Sequence, residues 1–275
     1  MHSNTLRLSR RLRLALPARA YHFASPGFDG ALAREGVPAW GAEEGARLRR
    51  DTVSYLEAFD ASTWHDAPVV TLLKGETLDG GDRVPTVDAF RRENGAAVQA
   101  TSEQVDDVLK HMRDYVPPSR DCRDAVRAVE REIFAEHAAF LVGNQALDFG
   151  KQDGITEIEE SVQANVVERR LNDALFADEL AGRLAINRAP AIVGCVSNFS
   201  NFLDLCRKTL RNLELGVPVV ILSRSNVTQH MFRWSELLIQ LCDKHGVDKG
   251  MVTYLSASLE EQRRVFQTCA SDSPM

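Results

Sequence analysis

The stretch "PAIVGCVSNFSNFLDLCRKTLRNLELGVPVVILS", residues 190–223, reads as a strand, a turn, a helix and a second strand. Its two apolar runs are short and rich in Val and Ile, which is typical of strands buried in a sheet. A second helix and a third such run, "GMVTYLS" at 250–256, follow, and Gly216 and Gly246 end the two intervening helices. Strands that alternate with helices predict βαβ units around a parallel sheet over residues 190–268.

The chain before this segment is mainly helical by its apolar spacing. The spacing predicts helices at 42–59, 102–112, about 121–147 and about 156–180, a strand at 67–73 and turns over 74–85. The first of these helices is expected to bury Leu48, Val53, Leu56 and Phe59, and Gly150 is expected to end the third. The fold class is therefore α/β, with a helical segment before the parallel sheet.

Composition and charge narrow the class of protein. The 275 residues are 44% hydrophobic and carry a formal net charge of -6, which argues against a general nucleic-acid binder. No uninterrupted apolar stretch is long enough to span a bilayer, so no transmembrane segment is expected. The five cysteines form no C-x-x-C pair, so neither a disulfide framework nor a zinc site is expected.

The first 28 residues differ from the rest of the chain. They include Arg7, Arg10, Arg11, Arg13 and Arg19, and no acidic residue precedes Asp29. On a helix, leucines share one side and arginines the other, which is the composition of a mitochondrial presequence. The alternative is a basic arm that docks on a partner. We expect a mitochondrial location, in the matrix or on the matrix side of the inner membrane.

Several segments, in order, resemble the aldehyde dehydrogenase superfamily, and most closely its mitochondrial branch that oxidises pyrroline-5-carboxylate. The segments are "AAVQATSEQVDDVLKHM" (96–112), "LDFGKQDGITEIEESV" (147–162), the 190–223 stretch continued to Thr228, and "LIQLCDKHGVDKGMVTYLS" (238–256). The resemblance implies a truncated, Rossmann-like nucleotide-binding domain over residues 85–275. An extension with a helix and a short strand, residues 29–84, precedes it.

The departures from the family pattern suggest that the chemistry is lost. The resemblance puts Ser200 where the family has an oxyanion-binding asparagine, although a shift of one residue would bring Asn201 there. It puts Ser223 and Asn226 where a lysine and an acid hold the cofactor ribose, while Ser225 matches the family serine. The neighbouring Arg224 is a poor substitute, because successive strand residues face opposite ways. We therefore expect no catalytic, cofactor-binding or metal-binding residues, and no cofactor.

Other candidate groups have ordinary structural interpretations. Gly150-Lys151 follows a helix and lacks the P-loop pattern, so it is not expected to bind phosphate. His111 and His137 lie among charged neighbours and are expected on the solvated surface. The family's catalytic cysteine and general-base glutamate belong to a later part of the fold than Met275, and Cys269 is interpreted as an inert cysteine in a polar tail.

The sequence favours a non-catalytic, structural or accessory subunit of a mitochondrial assembly, such as the respiratory chain, the ATP synthase or the mitochondrial ribosome. A sheet of three strands is expected to leave an unpaired edge and an apolar surface for protein partners. No nucleic acid or small-molecule substrate is expected. The alternative is the amino-terminal part of a working NAD-dependent dehydrogenase, and a weaker one is a nucleotide-sensing module.

Overall fold

The computed structural model describes residues 42–150, 154–194, 201–222 and 228–271. Its main sheet has five strands: β1 (Thr71–Leu73), β2 (Glu76–Leu78), β5 (Ala191–Gly194), β6 (Val219–Leu222) and β7 (Val252–Leu255), in the order β2-β1-β7-β6-β5. The strands β5, β6 and β7 are parallel and in register, as predicted. The helices α7 (Asn201–Glu214) and α8 (Thr228–Lys244) connect them, and α9 (Leu259–Ser271) follows β7.

Both faces of this sheet are buried, which explains why its strands are continuously apolar. Val219 and Ile221 point into the larger core, together with residues of α7, α8 and the helices before the sheet. Val220 and Leu222 point into a smaller core on the opposite face, which α3 (Ser102–Asp114) and α9 complete. The alternation along β6 therefore sorts successive side chains into two separate cores.

A hairpin from the amino-terminal extension covers the β7 edge of the sheet. β1 pairs antiparallel with β7 at Leu72 and Tyr254, and β2 pairs with β1. Lys74 and Gly75 both have positive φ, 55° and 77°, as a tight two-residue hairpin turn requires. The expectation of a three-stranded sheet, and of turns throughout 74–85, is wrong, because this hairpin extends the sheet by two strands.

A second hairpin precedes α3. It joins β3 (Arg83–Val87) to β4 (Glu93–Val98), with an irregular register after Thr86. The segment that resembled the family's first helix is therefore a strand over Ala96–Val98, and the helix itself begins at Ser102. Thr101 caps that helix, because its hydroxyl accepts from the Gln104 amide while the Gln104 side chain accepts from the Thr101 amide.

The helical segment follows the prediction with one interruption. Its helices are α1 (Ala42–Ala58), α2 (Ser62–Asp66), α4 (Arg123–Glu132), α5 (Ala138–Phe149) and α6 (Gly154–Leu180). A π-turn, Ile133–His137, separates α4 from α5 where one continuous helix was expected. Gly150 ends α5 with φ 70°, as predicted. The buried face of α1 differs from the predicted one, because Thr52 is buried and Val53 is exposed.

Buried charges join α4, α6 and α7. Glu130 is fully buried and its Oε2 accepts from Arg169 and from Arg211. Arg211 also pairs with Glu214, which accepts from Arg127 at 3.0 Å. Each buried carboxylate therefore faces at least two guanidinium groups, which is the pairing that makes a buried charge tolerable.

Within the described residues, no helix combines the length and the apolar character that crossing a membrane would require. The basic segment 1–28 lies outside the described residues.

Candidate functional site

The edge of the sheet at the carboxyl ends of β5, β6 and β7 is the first candidate site. Gly194, Leu222 and Leu255 end these strands side by side in the register of the ladder. In open α/β sheets, ligands bind in the crevice outside this edge. Ser200 lies between β5 and α7 in the sequence, and the segment 223–226 lies between β6 and α8; these residues are outside the described parts of the chain, as is Lys151. Asn201 is the first residue of α7.

Asp148 fixes the start of α8 at this edge. Its carboxylate accepts from the His230 backbone amide at 2.8 Å and from the Asn94 side-chain amide at 2.6 Å. It therefore caps α8 from α5 and ties both helices to β4. Burial raises the pKa of Asp148 to about 7, although the hydrogen bonds from His230 and Asn94 oppose the rise.

Gln229 holds the same helix start against the β3–β4 hairpin. Its side-chain amide donates to the Thr86 hydroxyl at 3.0 Å. The approach is close enough that a Cβ on Gly95, which has φ 152°, would lie 2.5 Å from the Gln229 Nε2 atom. Glycine is therefore required at position 95 both by its backbone conformation and by the space that Gln229 occupies.

His230 is the least satisfied group at this edge. Its side chain is fully buried, and neither ring nitrogen has a hydrogen-bond partner among the residues that the structure describes. Burial lowers the pKa of His230 to about 4, so the ring is neutral at physiological pH. A buried imidazole with neither nitrogen satisfied is costly, and it packs here as a core side chain.

The end of β7 is closed by the amino-terminal hairpin. The Ser256 amide donates to the Thr71 hydroxyl at 3.1 Å, and the Thr71 hydroxyl lies 3.3 Å from the Ser256 carbonyl oxygen. The Ala100 amide donates to the same carbonyl at 2.7 Å. The polar groups described at this corner therefore hold the sheet edge together. Among the described residues of the edge, we find no arrangement of a nucleophile beside a base.

A small pocket lies at the opposite, amino-terminal end of the strands. Pro190, Pro218 and Gly250 line it ahead of β5, β6 and β7, together with His111 and Tyr115. Its cavity volume is about 10 Å³, which is about the room that one water molecule needs and far below the range typical of ligand pockets. His111 is half-buried, its Nε2 lies 2.8 Å from the Gly250 carbonyl oxygen, and its ring packs on Tyr115. The expectation that His111 is solvated is therefore wrong.

The structure also bears on the predictions for Cys269 and His137. Cys269 lies in α9, half-buried against the smaller core, rather than in a polar tail. His137 ends the π-turn with its side chain 30% exposed, as expected of a surface residue, and it lies 3.6 Å from the Glu132 carboxylate within a polar cluster. Asp148 and His230 had no signal in the sequence, because their burial depends on how α5 meets α8.

No protein-family model matches the sequence, and no curated protein matches it. Solved structures do match the fold. The Δ-pyrroline-5-carboxylate dehydrogenase of Mycobacterium tuberculosis bound with NAD has a TM-score of 0.54 and 17% identity, with 84% of this chain and 44% of that one covered. A 1-pyrroline-5-carboxylate dehydrogenase variant of Thermus thermophilus gives 0.55 and 13%, covering 82% and 45%. An NADP-dependent enzyme of E. coli gives 0.53 and 16%, covering 78% and 51%.

These likenesses concern the fold. The chain has a partial α/β fold of the aldehyde dehydrogenase type, as the sequence resemblance implied, with a mixed sheet and flanking helices. It spans about half the length of these solved structures or less.

Proposed function

From the aldehyde dehydrogenase fold that this chain shares over part of its length, we propose that it is a non-catalytic accessory subunit of a mitochondrial multiprotein assembly. In this proposal it binds no dinucleotide and turns over no small-molecule substrate. The observation that carries the proposal is Ser223, which directly follows the last residue of β6 in the sequence, at the position where the family resemblance expects a ribose-binding lysine.

The exchange at this position removes a charged donor. A lysine reaches out on a four-carbon stem and donates charge-assisted hydrogen bonds, whereas a serine hydroxyl is short and neutral. Asn226 likewise replaces an acid that would accept from the same ribose. Replacing the charged pair by two neutral side chains lowers the affinity for a dinucleotide. It leaves the buried residues of the sheet unchanged.

Exposed apolar side chains support a role in protein contacts. Leu259 and Phe266 lie seven residues apart on α9, hence on one face of the helix, and are 63% and 49% exposed. Val116 and Leu180 are more than 80% exposed. Apolar side chains of this size on a helix face favour burial against another chain.

The basic, acid-free first 28 residues support a mitochondrial location. The experiment that tests the proposal is native separation of mitochondria that express a tagged copy of the chain, followed by mass spectrometry of the co-migrating proteins. We expect the chain to migrate with one defined assembly at a constant ratio to its subunits. Migration as a free particle near the mass of 30.6 kDa would contradict the proposal.

The second candidate is the dinucleotide-binding part of a working dehydrogenase. The likeness to a structure that holds NAD favours it, together with the intact α/β framework around the carboxyl edge of the sheet. This candidate requires saturable NAD binding by the chain, which the accessory-subunit proposal does not.

A further inference from the structure

The π-turn between α4 and α5 assembles a cluster of metal-ligating side chains away from the sheet edge. Glu132, Glu136 and His137 each offer one ligand atom, and these three atoms all lie within 4.8 Å of one another. His245 approaches the same cluster from the end of α8, fifteen residues after His230. That separation corresponds to about 22 Å along a helix axis, so the cluster is remote from the first candidate site.

The π-turn brings Glu132 and His137 together. On an α-helix, residues five apart point about 140° away from each other. A π-turn closes with hydrogen bonds between residues five apart and so stacks one over the other, and such turns occur frequently at functional sites. Here the turn covers Ile133–His137, and the His137 Nε2 lies 3.6 Å from the Glu132 Oε1 atom.

This separation suits a shared metal ion. Zinc binds carboxylate oxygen and imidazole nitrogen at about 2.0–2.2 Å, which places neighbouring ligand atoms of a tetrahedral site about 3.4 Å apart. Glu136 is exposed, so its side chain can rotate to bring its carboxylate from within 4.8 Å of the other two ligand atoms to the spacing of a metal site. Three protein ligands leave a fourth position for water. Two carboxylates with an imidazole select a first-row transition metal over calcium or magnesium, which prefer oxygen ligands alone.

The groups around Glu132 hold its carboxylate in place. The His245 Nε2 lies 2.8 Å from its Oε2 atom, and the Lys244 ammonium donates to Oε1 at 2.7 Å. Hydrogen bonds from outside the ligand set fix the orientation of a ligating carboxylate. Lys244 also competes with a metal for Oε1, so the ammonium limits the affinity of the site.

We propose that Glu132, Glu136 and His137 form a binding site for a divalent transition metal such as Zn²⁺, with His245 orienting Glu132 and Lys244 as a competing cation. The site is independent of the accessory-subunit role. Glu136 is exposed, and the side chains of His137 and Lys244 are 30% and 59% exposed, so substitutions there leave the cores untouched.

The test is calorimetric titration of Zn²⁺ into the EDTA-treated full chain, with Co²⁺ absorption as the spectroscopic readout. We expect one equivalent of Zn²⁺ to bind. Glu136→Gln and His137→Gln should each weaken the affinity by at least about tenfold, because losing even a residue that only orients a ligand costs about that much. Lys244→Met should tighten it. His65→Gln, a change at an exposed histidine on α2, is the matched control and should bind like the wild type.

Two results would overturn the proposal. One is an absence of saturable binding to the wild-type chain. The other is a bound equivalent whose affinity is the same in Glu136→Gln, His137→Gln and the control. Thermal unfolding of each variant without metal verifies that a weakened affinity does not come from loss of the fold.

Discussion

Asp148 and His230 impose opposite pH dependences on stability at one helix start, and removing either should reveal the other. The pKa of Asp148 is raised from 3.8 to about 7, so its contribution to stability is present at low pH and is lost as pH rises through that window. The pKa of His230 is lowered from 6.5 to about 4, so its contribution is present above pH 6.5 and is lost as pH falls. Where the two pH ranges overlap, from about pH 4 to 6.5, the pH dependences of Asp148 and His230 have opposite signs and cancel.

The size of each effect follows from the pKa values. A single proton bound in one state and not in the other changes the free energy of unfolding by about 1.4 kcal/mol per pH unit. From pH 5 to 6.5 each group alone therefore contributes about 2 kcal/mol, with opposite sign. The wild-type free energy of unfolding should be nearly flat over this range. In Asp148→Asn it should rise by about 2 kcal/mol from pH 5 to 6.5, because Asp148 then no longer offsets the titration of His230.

The assay is urea unfolding at closely spaced pH values, followed by the fluorescence of the buried Trp64 and Trp234. Asp148→Asn also loses part of the α8 cap, which lowers its stability by about 1–3 kcal/mol at every pH and does not change the slope. His230→Phe is the companion variant and should show the reverse slope. Asp178→Asn, at an exposed ion pair with Arg183, is the control. Equal slopes in the wild type and in Asp148→Asn would refute the reasoning.

Three other substitutions test the packing. Glu130→Gln leaves buried guanidinium groups without their carboxylate and should lower the free energy of unfolding by about 3–5 kcal/mol, measured with urea. The control Asp178→Asn should lower it by less than about 1 kcal/mol, and equal losses would contradict a stabilising role of the buried ion pairs. Gly95→Ala places a methyl group against Gln229 and should lower the thermal midpoint clearly more than Gly182→Ala, where φ is 67° and the space is open. Thr101→Ala removes the capping box of α3 and should cost about 1 kcal/mol, and an unchanged midpoint would show that the cap is dispensable.

The parallel strands were predictable because their signal is local. The runs around Val193, Val220 and Thr253 are short, apolar and separated by helices that end in glycine, and each became a strand of one parallel ladder. The resemblance to aldehyde dehydrogenases added the fold type, which the solved structures bear out.

The missed features depend on contacts between distant segments. The strand β2, "ETL", reads as part of a turn, because its partner β1 and the β7 edge are what make it a strand. The π-turn has no periodic signal, so the sequence separates Glu132 from His137 where the structure joins them. The burial of Asp148 likewise appears only when α5 meets the start of α8.

The central claim is that this chain keeps a dehydrogenase-type fold but does not bind the dinucleotide. Calorimetric titration of NAD into the purified full chain, beside the Ser223→Lys and Ser223→Lys/Asn226→Glu variants, tests it most directly. We expect no saturable heat for the wild type and measurable binding when both charged groups are supplied. Saturable binding of NAD to the unaltered chain in the micromolar range, about -8 kcal/mol, would contradict the account.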